Sequence, residues 1–227
     1  MKNIICFLLI AVSTLCQGRG GNSLCTYRVK GNLDWNKIDA ITIVKDSLGS
    51  ENIMTIKSAW TKDSLYFHYD VIDFDLRCHQ LENDHSRLFL DDMVEFLIDP
   101  RNDHGELWLE DDVIYHINIL GYKKDDRGTP DGKSDASWNG VSRYSIVING
   151  TVNDSSDLDE GYEVEVAVPW SELGVTPRCG LVMGVDFVCG DNDGKGRQLF
   201  DMAGAKPFRN PIEFCLLKLM TRKKNGD

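Results

Sequence analysis

The chain has 227 residues, with 36 Asp and Glu against 25 Lys and Arg, for a net charge of −11. Phosphate neutralisation needs a basic surface, so this balance weighs against nucleic acid and against anionic membrane surfaces as partners. Cations and neutral polar ligands remain open.

The start reads as a secretory signal over residues 1–18. Lys2 supplies the positive end, Ile4 to Leu15 the apolar centre, and Cys16-Gln17-Gly18 the small residues that a signal peptidase inspects. The apolar run is too short to span a bilayer. The alternative at Cys16 is lipid attachment, for which Ser13-Thr14-Leu15 is a poor lead-in. Both place the mature protein outside the cytoplasm, secreted or on the cell envelope. No later run is apolar enough to cross a membrane, so no membrane insertion is expected after signal removal. About 205 residues then remain, which suits one domain over 24–221 with a sizeable core.

Strand signals follow one another along that domain. Residues 40–44, "AITIV", come first. "NIMTIKSAW" (52–60) and "SLYFHYDVID" (64–73) read as a hairpin across Thr61-Lys62-Asp63. "LFLDDMVEFLIDP" (88–100), "VIYHINILG" (113–121) and "RYSIVING" (143–150) continue the series. In "GYEVEVAVPW" (161–170), Tyr162, Val164, Val166 and Val168 face one way, and Glu163, Glu165 and Ala167 the other, the pattern of a half-buried antiparallel strand. "GLVMGVDFVCG" (180–190) and "IEFCLLKL" (212–219) bring the candidates to nine. One helical cue occurs, "PWSELG", begun by Pro169 and Ser171 and stopped by Gly174. Residues 121–142 and 191–211 read as long polar loops. The expected fold is all-β: a single antiparallel β-sandwich of jelly-roll type. Of the five cysteines after the leader, Cys25, Cys78, Cys179, Cys189 and Cys215, one or two pairs are allowed; Cys189 and Cys215 lie in apolar strands that suit a small free thiol.

The strand at 88–100 raises a specific question. Val94, Phe96 and Ile98 share its core face, whereas Met93, Glu95, Leu97 and Asp99 share the other. A carboxylate between apolar neighbours needs a partner, because burying it unpaired is costly. His116, Arg209 and a polar ligand are the candidates.

Catalytic signatures are missing: there is no GxSxG elbow, HExxH or Walker loop. Nothing in the sequence marks an enzyme. "DNDGKG" (191–196) offers Asp191 and Asp193 as oxygen ligands to a hard cation such as calcium, or forms an Asx-type turn instead. Asp73 and Asp75 in "VIDFDL" pose the same choice. Phe89, Trp138 and Phe208 lie in loops, where a ring can meet the C–H face of a pyranose or plug the end of a sandwich.

In order, "GNLDWNKID", "SAWTKDSLYFHYDVIDFDL", "DDMVEFLIDP", "IYHINILG", "EGYEVEVAVPWSELGV", "GVDFVCGDND" and "PFRNPIEFCLLKL" resemble a family 9 carbohydrate-binding module from about Gly31 to Leu219. The resemblance implies a jelly-roll sandwich without catalysis that binds oligo- or polysaccharides, in well-studied members at reducing ends, with calcium in structural sites. It also implies a sugar held between two aromatic residues. Those positions fall on Phe89 and on Phe208, the latter followed by Arg209-Asn210-Pro211. Glu95 corresponds to the strand glutamate, and His116, with Asn118 two residues on, to a basic residue that is often arginine. Phe replaces Trp at both clamp positions, with less ring area and no N–H, and His116 lacks arginine's donor fork. Two rivals stay open: a haem or electron-transfer sandwich of the DOMON kind, using His68, His116, Met93 or Met183, and a protein-interaction sandwich whose sugar site has decayed.

Overall fold

The computed structural model describes residues 24–44, 52–103, 105–194, 197–204 and 208–221; the leader expected at 1–18 lies outside them. Among these residues the strands are β1 (Leu24–Arg28), β2 (Ala40–Val44), β3 (Ile53–Trp60), β4 (Ser64–Ile72), β5 (Met93–Asp99), β6 (Val113–Asn118), β7 (Lys123–Gly128), β8 (Ser134–Asp135), β9 (Arg143–Asn149), β10 (Gly161–Pro169), β11 (Val182–Asp191), β12 (Gln198–Asp201) and β13 (Cys215–Met220). They form one continuous mixed sheet in the order β8-β7-β6-β5-β11-β13-β1-β3-β4-β10-β9, with β12 on β11 and β2 on β3. β1 pairs in parallel with both β13 and β3 and so joins the two halves; the remaining pairings are antiparallel.

The halves fold over one another as a sandwich, because each strand presents every second residue to a shared interior. Phe67 of β4 meets Phe96 of β5 at 5.5 Å and Phe187 of β11 at 4.8 Å between ring centroids. Tyr69 and Tyr162, from the second half, donate their hydroxyls to the carbonyls of Glu95 and Met93 in the first. This all-β sandwich agrees with the expected architecture. The helical cue is also real: α1 spans Trp170–Leu173 and ends on Gly174, whose φ of 66° is the left-handed conformation that glycine adopts at little cost.

Four strands escape the sequence reading: β1, β7, β8 and β12. β7, "KKDDRG", lies in the segment read as a loop, yet Asp125 and Asp126 are buried there, paired with Lys123 at 2.6 Å and Lys124 at 3.0 Å. Strand geometry is here stabilised by ion pairs and by the β6 ladder rather than by apolar alternation, so periodicity is blind to it. Residues 88–90 form a 3-10 turn ahead of β5 instead of its first residues. Cys25, Cys78, Cys179 and Cys189 are free, and Cys215 is disulfide-bonded, within the one or two pairs the sequence allows. Trp138 acts as a plug: its ring packs edge-on to Tyr115 at 5.7 Å and under Arg127.

Candidate functional site

All seven residues of β5 are buried, so both of its faces are covered. Val94, Phe96 and Ile98 enter the interior. On the outer face Leu97 joins Trp108, Ile114, Val188 and Phe214 in a second, smaller apolar cluster. Glu95 stands beside that cluster.

The ladder dictates what Glu95 meets. It lies opposite His116 on β6 and Val188 on β11, and His116 lies opposite Lys124 on β7. Cross-strand neighbours on one face are close enough for side chains to touch. His116 Nδ1 reaches Glu95 Oε2 at 2.7 Å, and both side chains are buried. Arg197, absent from the sequence reading, approaches the same oxygen at 3.6 Å with Nη2. Its guanidinium also lies 5.1 Å from the centroid of Phe89, so the ring and the carboxylate share one cation. Burial lowers the Arg197 pKa and Glu95 opposes that shift. Glu95 Oε1, His116 Nε2 and Arg197 Nε are buried atoms with no hydrogen-bond partner among the described residues. A buried polar group without a partner from the chain takes one from a ligand or ordered water.

The C-terminal segment approaches the same face farther along β7. Lys124 and Asp126 are two residues apart on one side of that strand. Arg209 pairs with Asp126 at 2.8 Å, donates to Ser134 Oγ at 2.8 Å, and lies over the Trp108 ring. Burial disfavours the Asp126 anion, but Arg209 and Lys124 outweigh it and hold the carboxyl below the usual carboxylate range. Arg209 has φ of 67°, a left-handed conformation that costs a non-glycine residue about 1 kcal/mol. Its three contacts hold it there. The adjoining Phe208 keeps 37% of its surface exposed, and Phe89 is half-buried, so neither ring belongs to the interior core.

The expected residues thus meet different fates. Glu95, His116 and Phe89 come together, with Arg197 rather than Arg209 as the arginine near Glu95. Asn118 departs from expectation. It is fully buried, and its amide donates to the Gln80 carbonyl at 2.8 Å and Asp91 Oδ2 at 3.0 Å, while its oxygen accepts from Tyr122 N. Both N–H groups are used internally, so it orders the β6 turn and has no free donor for a ligand.

Asp191 and Asp193 are joined by Asp73, and their nearest carboxylate oxygens lie within 4.8 Å of one another. Burial, reinforced by Asp191 and Asp193, raises the Asp73 pKa to about 7. Asp73 Oδ2 is buried without a hydrogen-bond partner among the described residues. Asp75, weighed with Asp73 in the sequence, instead pairs with Arg77 at 2.6 Å. A second cluster, Asp99, Asp111 and Asp112, passed unnoticed because its members come from two separate segments.

The family model described as carbohydrate family 9 binding domain-like matches residues 29–221. The chain belongs to this family. As a family 9 module it is 29% identical over 173 residues to exoglucanase XynX of Acetivibrio thermocellus, and 27% identical over 173 residues to endo-1,4-beta-xylanase A of Thermoanaerobacterium saccharolyticum. Each alignment covers 75% of this chain but only 14% and 13% of those relatives. Among solved structures, a family 9 carbohydrate-binding module from Caldicellulosiruptor kristjanssonii in complex with cellotriose superposes with a TM-score of 0.65 at 21% identity, covering 90% of this chain and 96% of that one. A family 9 module from the same organism in complex with glucose gives 0.66 at 21% identity, covering 90% and 98%. These structural likenesses establish the fold.

Proposed function

We propose that this family 9 module binds oligo- or polysaccharide without catalysis, on the outer face of β5, β6 and β7. The observation that carries this is the group of unsatisfied buried polar atoms on Glu95, His116 and Arg197 beside the Phe89 ring. Sugar hydroxyls both donate and accept, so they match a carboxylate, an imidazole and a guanidinium together. Phe89 and Phe208 supply ring faces for the C–H side of the sugar, and Arg209, held by Asp126 and Trp108, sets where Phe208 stands. Glu95 acts chiefly by fixing His116 and Arg197, since it is itself fully enclosed. The Caldicellulosiruptor structures are complexes with cellotriose and glucose; glucan and xylan oligosaccharides are accordingly the first ligands to try here. Isothermal titration against cello- and xylo-oligosaccharides tests the proposal: a saturable signal that Phe208→Ala removes supports it, and no signal with either series refutes it.

Asp73, Asp191 and Asp193 fit a calcium ion, because three clustered carboxylates, one with a buried unmatched oxygen, favour a hard cation. The ion would tie the segment after β4 to the end of β11 and neutralise their repulsion. A polysaccharide ligand suits a place outside the cytoplasm, and secretion or attachment to the cell envelope is part of the same proposal. No helix among the described residues is long and apolar enough to cross a membrane. The haem alternative draws no support: His68 contacts Glu163 on the second half of the sandwich, His116 contacts Glu95 on the first, and Met93 and Met183 are fully buried.

A further inference from the structure

The second half of the sandwich carries an open cleft on its outer face, away from Glu95. Its floor is Ala167 of β10, which lies in register between Tyr66 of β4 and Arg143 of β9. A small side chain between two tall ones makes a groove across a sheet. The next row places Glu165 between His68 and Ser145. Trp35, from the 3-10 turn between β1 and β2, closes one side with its ring 5.1 Å from His68. The cleft encloses about 350 Å³ and opens to solvent, within the size range of small-ligand sites.

We infer that this cleft is a second saccharide site, one that takes the interior of a neutral glycan chain. Trp35 and Tyr66 are half-buried rings that both line the groove. Around them Arg143, Ser145 and Glu165 are exposed. Among the described residues, the guanidinium, hydroxyl and carboxylate there make no hydrogen bond or ion pair. Just beneath, His68 Nδ1 is buried without a partner while Nε2 contacts Glu163 at 3.1 Å. Rings with a mixed donor and acceptor rim suit a pyranose, whose flat C–H faces alternate with hydroxyl edges. One positive and one negative group side by side select against a charged polymer, and an open trough admits a chain along its length rather than only its end. The inference stands apart from the Glu95 site, which lies on the other half. With both occupied, one module would hold two chains, or two points of one chain, with the gain in avidity that linkage brings.

Proton–nitrogen correlation spectra of the full chain, titrated with cellohexaose, xylohexaose and laminarihexaose, test this. The Trp35 indole N–H, assigned by its loss in Trp35→Phe, is the reporter. At least one hexasaccharide should shift it saturably, the shift should persist in Phe208→Ala, and Arg143→Ala should weaken it about tenfold, the loss expected for one charged hydrogen bond. Arg143 is exposed and Phe208 lies outside the core, so dispersed spectra for both variants serve as the folding control. A Trp35 signal that moves with none of the three sugars, that stops moving in Phe208→Ala, or that responds equally in Arg143→Ala overturns the inference. Failure of the Glu95 site would appear separately, as a still His116 signal while Trp35 moves.

Discussion

His116 Nδ1 lies 2.7 Å from Glu95 Oε2, and the two residues stand directly opposite each other on adjacent strands with both side chains buried. An enclosed carboxylate that loses its nearer partner, with the Arg197 guanidinium left at 3.6 Å, is only partly compensated, which costs up to about 3–5 kcal/mol. His116→Ala should therefore destabilise the domain by that order in urea unfolding. Glu95→Gln added to it should recover part of the loss, so that the double variant is less damaged than the sum of the singles. Strict additivity would mean that the two groups are not coupled.

Phe208 should separate binding from stability. The residue keeps 37% of its surface exposed and lies outside the core, so Phe208→Ala should move the unfolding midpoint far less than loss of a core ring. Loss of a ring that covers a sugar face removes about 1.5–3 kcal/mol of apolar contact, or roughly 10- to 100-fold in affinity. Phe208→Trp should move affinity the other way, because indole offers more area and an N–H donor. Isothermal titration with the oligosaccharide that binds best measures both.

Calcium should raise the melting temperature through Asp73, Asp191 and Asp193. At a hundredfold excess over its dissociation constant, a ligand of the native state adds about 2.7 kcal/mol, which for a domain of this size is several degrees. EDTA should remove the increment, and Asp191→Asn should abolish the response to calcium. An identical melting curve in calcium and in EDTA would count against the site.

Asp126 predicts a pH dependence. Arg209 and Lys124 hold its carboxyl below the usual carboxylate range despite burial. A depressed folded-state pKa adds stability above the unfolded value, near 3.9, which is lost as pH falls through the folded value. Asp126→Asn should then cost about 1–3 kcal/mol at pH 7, the worth of hydrogen bonds to a charged group. The gap to the natural protein should narrow towards pH 3. Urea midpoints at both pH values check the sign. The same variant should weaken sugar binding, because it frees Arg209 and with it Phe208.

Much was legible from residue order. Alternation in "GYEVEVAVPW" and "MVEFLID" identified strands with their core faces, since a half-buried strand must repeat with period two. Motif order also picked out Glu95 and His116, which the structure pairs at 2.7 Å. Other features came only with the fold. Arg197 reaches Glu95 because β11 pairs with β5 while residue 197 leads into β12, a relation that no spacing encodes. Asn118 looked available but is enclosed, because the β6 turn folds back onto Gln80 and Asp91. β7 was hidden because its buried acids are matched by Lys123, Lys124 and Arg209 rather than by apolar neighbours. Local pattern reports which side of a strand avoids water. Which charges meet across the sheet depends on register and on the path of distant loops, and only the tertiary structure decides those.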